Sequence, residues 1–137
     1  MTRERVVIDT NVFISGLLSS TSTPAKVVDR AIEQGQLLAS SATLRELMTK
    51  LLSPKFDRCV SRERRNALLE RLAPHVELVE IVQRIQAARD PKDDKFLEVA
   101  INGEAQVLVS GDSDFLTLHP FRGIAILTPA EYLSRER

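Results

Sequence analysis

The sequence predicts an α/β fold in which a parallel sheet is covered by helices on both faces. Two observations carry this. Short β-branched or apolar runs alternate along the chain with stretches of helical periodicity. Proline, glycine and small capping residues stand at the joins, where such elements must start and stop. Strands buried on both faces read as short apolar runs rather than as strict alternation, which is the pattern seen here.

The first strand is expected over residues 5–9 (RVVID), followed by a helix over 11–18 carrying Val12, Leu17 and Leu18. A polar loop over 19–23 leads to Pro24, which suits the first turn of a helix reaching Gln34, with Gly35 as its stop. Residues 36–39 form a second short strand. Ser40 or Ser41 then caps a helix to about Leu52, with Leu44, Leu47, Met48 and Leu51 on one face. Ser53-Pro54 breaks it. Ser61 opens another helix, with Leu68, Leu69 and Leu72 inward and Pro74 at its end. Residues 76–82 (VELVEIV) mix apolar and acidic positions as a strand does. Asp90-Pro91 reads as a cap and first helical proline for a helix to Asn102, stopped by Gly103. A strand over 106–110, a turn or short helix over 112–118, a strand over 123–127 and a helix over 129–134 complete the chain. Parallel crossovers are right-handed, so the strand ends that carry chemistry gather along one edge.

The 137 residues suit one compact domain over 1–137, with no repeat, linker or low-complexity tract. A 43% hydrophobic share argues against disorder. Cys59 is the single cysteine, which excludes an internal disulfide and a cysteine-based zinc site. There is no signal-peptide layout and no apolar run of membrane-spanning length, so a soluble, cytoplasmic protein is expected, with no membrane partner. His75 and His119 lack partners at ligand spacing and read as surface histidines. No nucleophile elbow or phosphate-binding glycine loop is present, and five Phe and one Tyr are too few for a base-stacking platform.

Net charge is zero, but it is unevenly spread. From Lys50 to Arg71 there are seven Lys/Arg against three Asp/Glu, and from Asp90 to Asp114 seven Asp/Glu against two Lys. A basic arm beside an acidic pocket suits a protein that holds a cation and a polyanion together; two oppositely charged solvated faces would give the same counts. The arm offers Lys50, Lys55, Arg58, Arg62 and Arg65 as phosphate contacts.

The acids are placed suggestively. Asp9 ends the first strand, and Asp112 and Asp114 follow the 106–110 strand, where open α/β sheets bind ligands. Asp93 and Asp94 open a helix that can be aimed at the same edge. Crowded carboxylates raise one another's pKa, a conflict that a divalent cation resolves. Hard oxygen donors suit Mg²⁺ or Mn²⁺, which can activate water and polarise a phosphoryl oxygen. Each acid also has a structural reading. Asp9 can cap the helix after it, Asp90 caps its own helix, Asp94 favours a helix dipole, and Asp112 or Asp114 can hold an Asx turn. Glu46 falls opposite the leucine face of its helix, which on periodicity alone makes it a solvated glutamate.

Four blocks in order give the chain a resemblance to the PIN-domain family of ribonucleases. Residues 6–13 read VVIDTNVF and resemble the opening strand with its Asp-Thr-Asn signature. Residues 40–52 read SSATLRELMTKLL and are similar to the helix carrying an acid before leucine, here Glu46. Residues 90–100 read DPKDDKFLEVA and resemble the block whose acid precedes an apolar helix, here Asp94, with Asp93 as the alternative one position earlier. Residues 107–116 read VLVSGDSDFL and resemble the strand-turn motif with Ser110 two residues before Asp112.

The resemblance implies a doubly wound sheet of about five parallel strands and phosphodiester hydrolysis, most often of single-stranded RNA. It implies one or two Mg²⁺ or Mn²⁺ ions on Asp9, Asp94 and Asp112, with Glu46 direct or through water and Asp114 as a further donor. Thr10, Asn11 and Ser110 would orient the acids or meet phosphate. Many relatives are toxins held inactive by a small antitoxin protein, and homodimers are common among them. A catalytically silent RNA- or protein-binding module is the competing reading. An Asp-dependent phosphatase fits less well: position 11 is Asn where a second Asp is wanted, and residues 107–111 lack the lysine of a receiver.

Overall fold

The computed structural model describes residues 3–135; Met1, Thr2, Glu136 and Arg137, the ends of the domain expected over 1–137, lie outside them. Five strands form one sheet: β1 (Glu4–Ile8), β2 (Gly35–Ala39), β3 (Val76–Leu78), β4 (Val107–Val109) and β5 (Ala125–Leu127). Their order is β3-β2-β1-β4-β5 and every pair is parallel. The chain therefore builds outward from β1 on one side, then returns to build on the other, and the switch point falls between β1 and β4.

Side chains leave the sheet with the two-residue period of a strand. Val6, Ile8, Leu37, Val107, Val109 and Leu127 enter one core; Val7, Leu38, Leu108 and Ile126 enter the other. The first core is covered by α1 (Thr10–Leu18), α2 (Thr23–Gln34), α3 (Ser41–Leu51), α4 (Arg62–Leu72) and α7 (Pro129–Ser134), through residues such as Val12, Val27, Leu47, Leu68 and Tyr132. The second is covered by α5 (Asp94–Asn102), α6 (Ser113–Leu116) and the irregular segment before α5, through Phe96, Leu97, Phe115, Val79 and Ile85. No helix among the described residues is long and apolar enough to cross a membrane.

The helix starts follow capping chemistry. Ser22 and Ser61 accept from the backbone N–H groups of Ala25 and Arg64. Ser40, rather than Ser41, caps α3, in a reciprocal box with Thr43. On α3 the buried positions are Thr43, Leu47 and Leu51; Leu44 is half-buried and Met48 is exposed, so the inward face is turned from the one expected.

The strand expected over 76–82 stops at Leu78. Its partner, β2, ends at Ala39, whose carbonyl takes the Val79 N–H at 2.7 Å before Ser40 turns away into α3. Beyond that point the backbone finds other partners. Asp94, Glu98 and Asn102, spaced four apart on α5, form a polar stripe. Asn102 Oδ1 accepts from Val82 and Gln83, Glu98 Oε2 from Ile85, and Asp94 Oδ1 from Ala87 and Ala88, at 2.8–3.1 Å. The segment is thus tied to the helix through its main chain.

Arg65 also departs from expectation. It is 2% exposed and not on the surface of a basic arm. Its guanidinium donates to the carbonyls of Leu51 (2.8 Å) and Ser53 (3.4 Å) and pairs with Asp57 (2.8 Å), closing the α3–α4 connection. Phosphate binding is excluded for a side chain so enclosed. Arg65→Met keeps most of the volume but leaves these acceptors without a donor. It is expected to lower unfolding stability by about 2–3 kcal/mol, read from the urea midpoint at unchanged slope.

Candidate functional site

Asp9 leaves the sheet immediately after β1, and its own N–H bonds the Val109 carbonyl of β4 at 3.0 Å. The register Ile8–Val109 therefore sets Asp9 beside Ser110 at the switch point. Ser110 Oγ donates to Asp9 Oδ2 at 2.8 Å, and Asp9 Oδ1 accepts from the Asn11 N–H at 3.4 Å as the cap of α1. The capping role and a place in the site are thus compatible. Asp9 is 6% exposed. Burial pushes its pKa up and the charge of Glu46 adds to this, against the Ser110 and Asn11 hydrogen bonds and Lys50.

Ser110 is wholly buried and works in both directions, since its Oγ also accepts from the Asp112 N–H at 3.0 Å. Asp112 in turn caps α6 by accepting from Asp114 N at 2.9 Å. Asp114 is farther out, with Arg89 at 3.5 Å. Asp9, Asn11, Gly111 and Asp112 line an open cleft of about 390 Å³.

Glu46 is drawn in from the side of α3 that periodicity assigns to solvent. Thr10 Oγ1, from the first turn of α1, donates to its Oε2 at 2.6 Å, and Lys95 Nζ of α5 meets its Oε1 at 2.8 Å. Burial alone would raise its pKa; the contacts with Lys95 and Thr10, and the charge of Lys50, outweigh that and hold it below the usual range.

The adjacent aspartates at the start of α5 separate cleanly. The Asp94 carboxylate faces the Ala87 and Ala88 N–H groups and is occupied in tying down that segment. Asp93 is the one that feels the cluster. Its pKa is pushed up to about 6, first by burial and then by the charges of Asp9, Asp90 and Asp112, with Lys95 opposing. Asp90 caps the turn before α5 by accepting from Lys92 N at 3.0 Å. Of the acids expected, Asp9 is coupled to Glu46 by charge and to Asp112 through Ser110, Asp94 has an oxygen engaged by the Ala87 and Ala88 N–H groups, and Asp93 feels the charges of Asp9 and Asp112. The one-residue difference is legible only through α5, where Asp94 shares its stripe with Glu98 and Asn102. Lys95 is a member of the site that sequence reasoning missed, with no signal beyond its place next to the two aspartates.

The donor set fits a hard divalent cation. All the acids offer oxygen, and although Lys95 and Lys50 help hold Glu46 ionised, burial and like charge still push Asp9 and Asp93 toward their protonated forms. Among the described residues no three His, Cys, Asp or Glu groups are gathered closely enough to enclose an ion alone. Water or substrate phosphate would have to complete the shell, as is usual for Mg²⁺.

The family model described as the PIN domain matches residues 5–114, which spans β1, α3, the start of α5 and the loop after β4. The chain belongs to the PIN-domain family. Uncharacterized protein MJ1680 of Methanocaldococcus jannaschii is 34% identical over 118 residues, covering 83% of this PIN chain and 74% of that protein. Among solved structures, VapBC2 from Rickettsia felis, bound to a DNA fragment from their promoter, shares the fold with a TM-score of 0.60 at 11% identity. That match covers 90% of this chain and 98% of the other. DNA-bound VapBC from Salmonella typhimurium gives 0.59 at 17% identity (94% and 99% covered), and FitAcB from Neisseria gonorrhoeae 0.54 at 17% (91% and 98%). The five-stranded parallel α/β architecture is thus the PIN fold.

The raised pKa of Asp93 makes a test possible with chelator present. Between its ordinary value of 3.8 and about 6, the native state holds a proton that the unfolded chain has released. Through this group, stability is greatest below that interval and is lost as pH rises through about 6. Asp93→Asn is therefore expected to raise the melting temperature at neutral pH, with the gain shrinking to nothing as the pH approaches the unfolded value. A gain of the same size at both ends of a pH series would contradict the assignment.

Proposed function

We propose that this PIN domain is a Mg²⁺- or Mn²⁺-dependent endoribonuclease that hydrolyses phosphodiester bonds of single-stranded RNA, acting in the cytoplasm as the toxin of a toxin–antitoxin pair. One observation carries the reading: a nearly buried Asp9, fixed by Ser110 at the sheet's switch point, lines a cleft with Asp112, and the charges of both raise the proton affinity of Asp93. Such a cluster is poor design for stability and good design for holding a cation.

Asp9, Asp93 and Asp112 would hold one or two ions, with Glu46 direct or through water and Asp114 at the outer edge. The ion would supply Lewis acidity toward the phosphoryl group and a more acidic water. The chain's own groups do the positioning. Ser110 fixes Asp9 Oδ2 and the Asp112 backbone together, and Thr10, next to Asp9, holds Glu46 Oε2. Asn11 lines the cleft beside Asp9, where it can meet a phosphate. A carboxylate of the cluster takes the proton of the attacking water. Lys55, Arg58 and Arg62 are exposed and Lys50 half-buried, which leaves them for backbone phosphates without sequence readout.

The likeness to the VapBC structures supports a small antitoxin protein as partner. Met48 and Leu52, one turn apart near the end of α3 and about half exposed, give an apolar surface for that partner or for a homodimer.

The test is cleavage of structured and unstructured RNA with Mg²⁺, Mn²⁺ or chelator. Wild type is expected to cut the unstructured RNA only with metal. Asp9→Asn is expected to lose cleavage while keeping its fold by circular dichroism. Asp93→Asn should lose roughly 10²–10³-fold in rate, while Asp94→Asn mainly loosens the segment it anchors. Near wild-type, metal-dependent cutting by Asp9→Asn would remove the central ligand. Bound but intact RNA under all conditions would favour the silent binding module.

A further inference from the structure

Lys95 brings a positive charge to the acid cluster. Its ammonium meets Glu46 Oε1 at 2.8 Å, donates to the Lys92 carbonyl and lies 5.6 Å from the centre of the Phe96 ring. It is also the lysine whose charge opposes both Glu46 and Asp93. With its side chain only 21% exposed and that of Glu46 22%, this is not a loose surface pair. The carboxylate is gripped on both oxygens, by Thr10 on one and Lys95 on the other. A lysine on a helix could reach solvent at little cost; this one donates to the Lys92 carbonyl in the turn before its helix and reaches Glu46 on α3.

We propose that Lys95 is a built-in counter-ion of the acid cluster, whose ammonium must leave Glu46 before that carboxylate can join a divalent ion. The inference rests on the reading of the cluster as a metal site. It makes cation binding an exchange of one positive charge for another instead of entry into a vacant site. Metal affinity is thereby held down, and each binding event releases a lysine beside the acid cluster. The released ammonium is then free to meet an incoming phosphate, the anion that would accompany the metal.

The measurement is calorimetric titration of the full chain with Mn²⁺, with no RNA present. Lys95→Met removes the competing charge and is expected to bind Mn²⁺ roughly tenfold more tightly than wild type. Lys95→Arg keeps the charge and should stay within about twofold of wild type. With chelator, Lys95→Met should melt lower than wild type, and Mn²⁺ should raise its melting temperature more. If wild type binds Mn²⁺ but Lys95→Met binds equally or more weakly, the counter-ion role is overturned and the metal reading stands. If wild type binds Mn²⁺ no better than Asp9→Asn, the metal reading falls and takes this inference with it.

Discussion

A carboxylate almost out of water, at the seam between the two halves of a parallel sheet, is the constraint around which this molecule is organised. Asp9 can remain there because β1 and β4 run in register and bring Ser110 alongside to donate to it. The hydrogen bond joins residues about a hundred positions apart in the chain, and it depends on the β1–β4 pairing being right to the residue. The same serine then sets the backbone of Asp112. One buried hydroxyl thus links the ends of two strands and the start of two helices, α1 and α6, whose caps are those same aspartates. The caps of two helices and the proposed site share side chains here. A residue already held by a helix start loses less freedom when it also serves a ligand.

The charge pattern follows the same economy. The chain is neutral, yet Asp9, Asp93 and Asp112 act on one another near the switch point, and Lys50 and Lys95 oppose their charge. α5 is the element that arranges this. Its apolar side fills the second core through Phe96, Leu97, Val99 and Ala100. Its polar stripe ties down the preceding segment. Its first turn sends Lys95 toward Glu46, while Asp93, just before it, is pressed by Asp9 and Asp112. Three duties at different angles around one short helix leave no slack in its rotation. That is why Asp93 and Asp94, adjacent and chemically identical, have such different surroundings.

Much of this was legible in the residues. Strands and helices appear where apolar runs and caps put them, and the last helix begins at Pro129 as its Thr128 cap requires. The Asp9 and Ser110–Asp112 ends of the site could be read because strand ends place their residues by topology alone. The remainder depended on contacts between distant segments. Glu46 looked solvated because a helical wheel knows nothing of Thr10 and Lys95 arriving from two other helices. Arg65 looked like a surface cation, since composition cannot show that the connection after α3 folds back over it. Residues 76–82 carried a strand's pattern, but a strand needs a neighbour, and β2 had already turned away.

Both outer strands of the sheet, β3 and β5, are only three residues long, and from Val82 the main chain after β3 is committed to α5. So short an edge gives another polypeptide little backbone to zip onto. Growth of the sheet by addition of a foreign strand is accordingly disfavoured on either side. Any durable assembly of this chain is therefore directed to its helical flanks, where recognition is decided by side-chain shape and not by a generic ladder of amides.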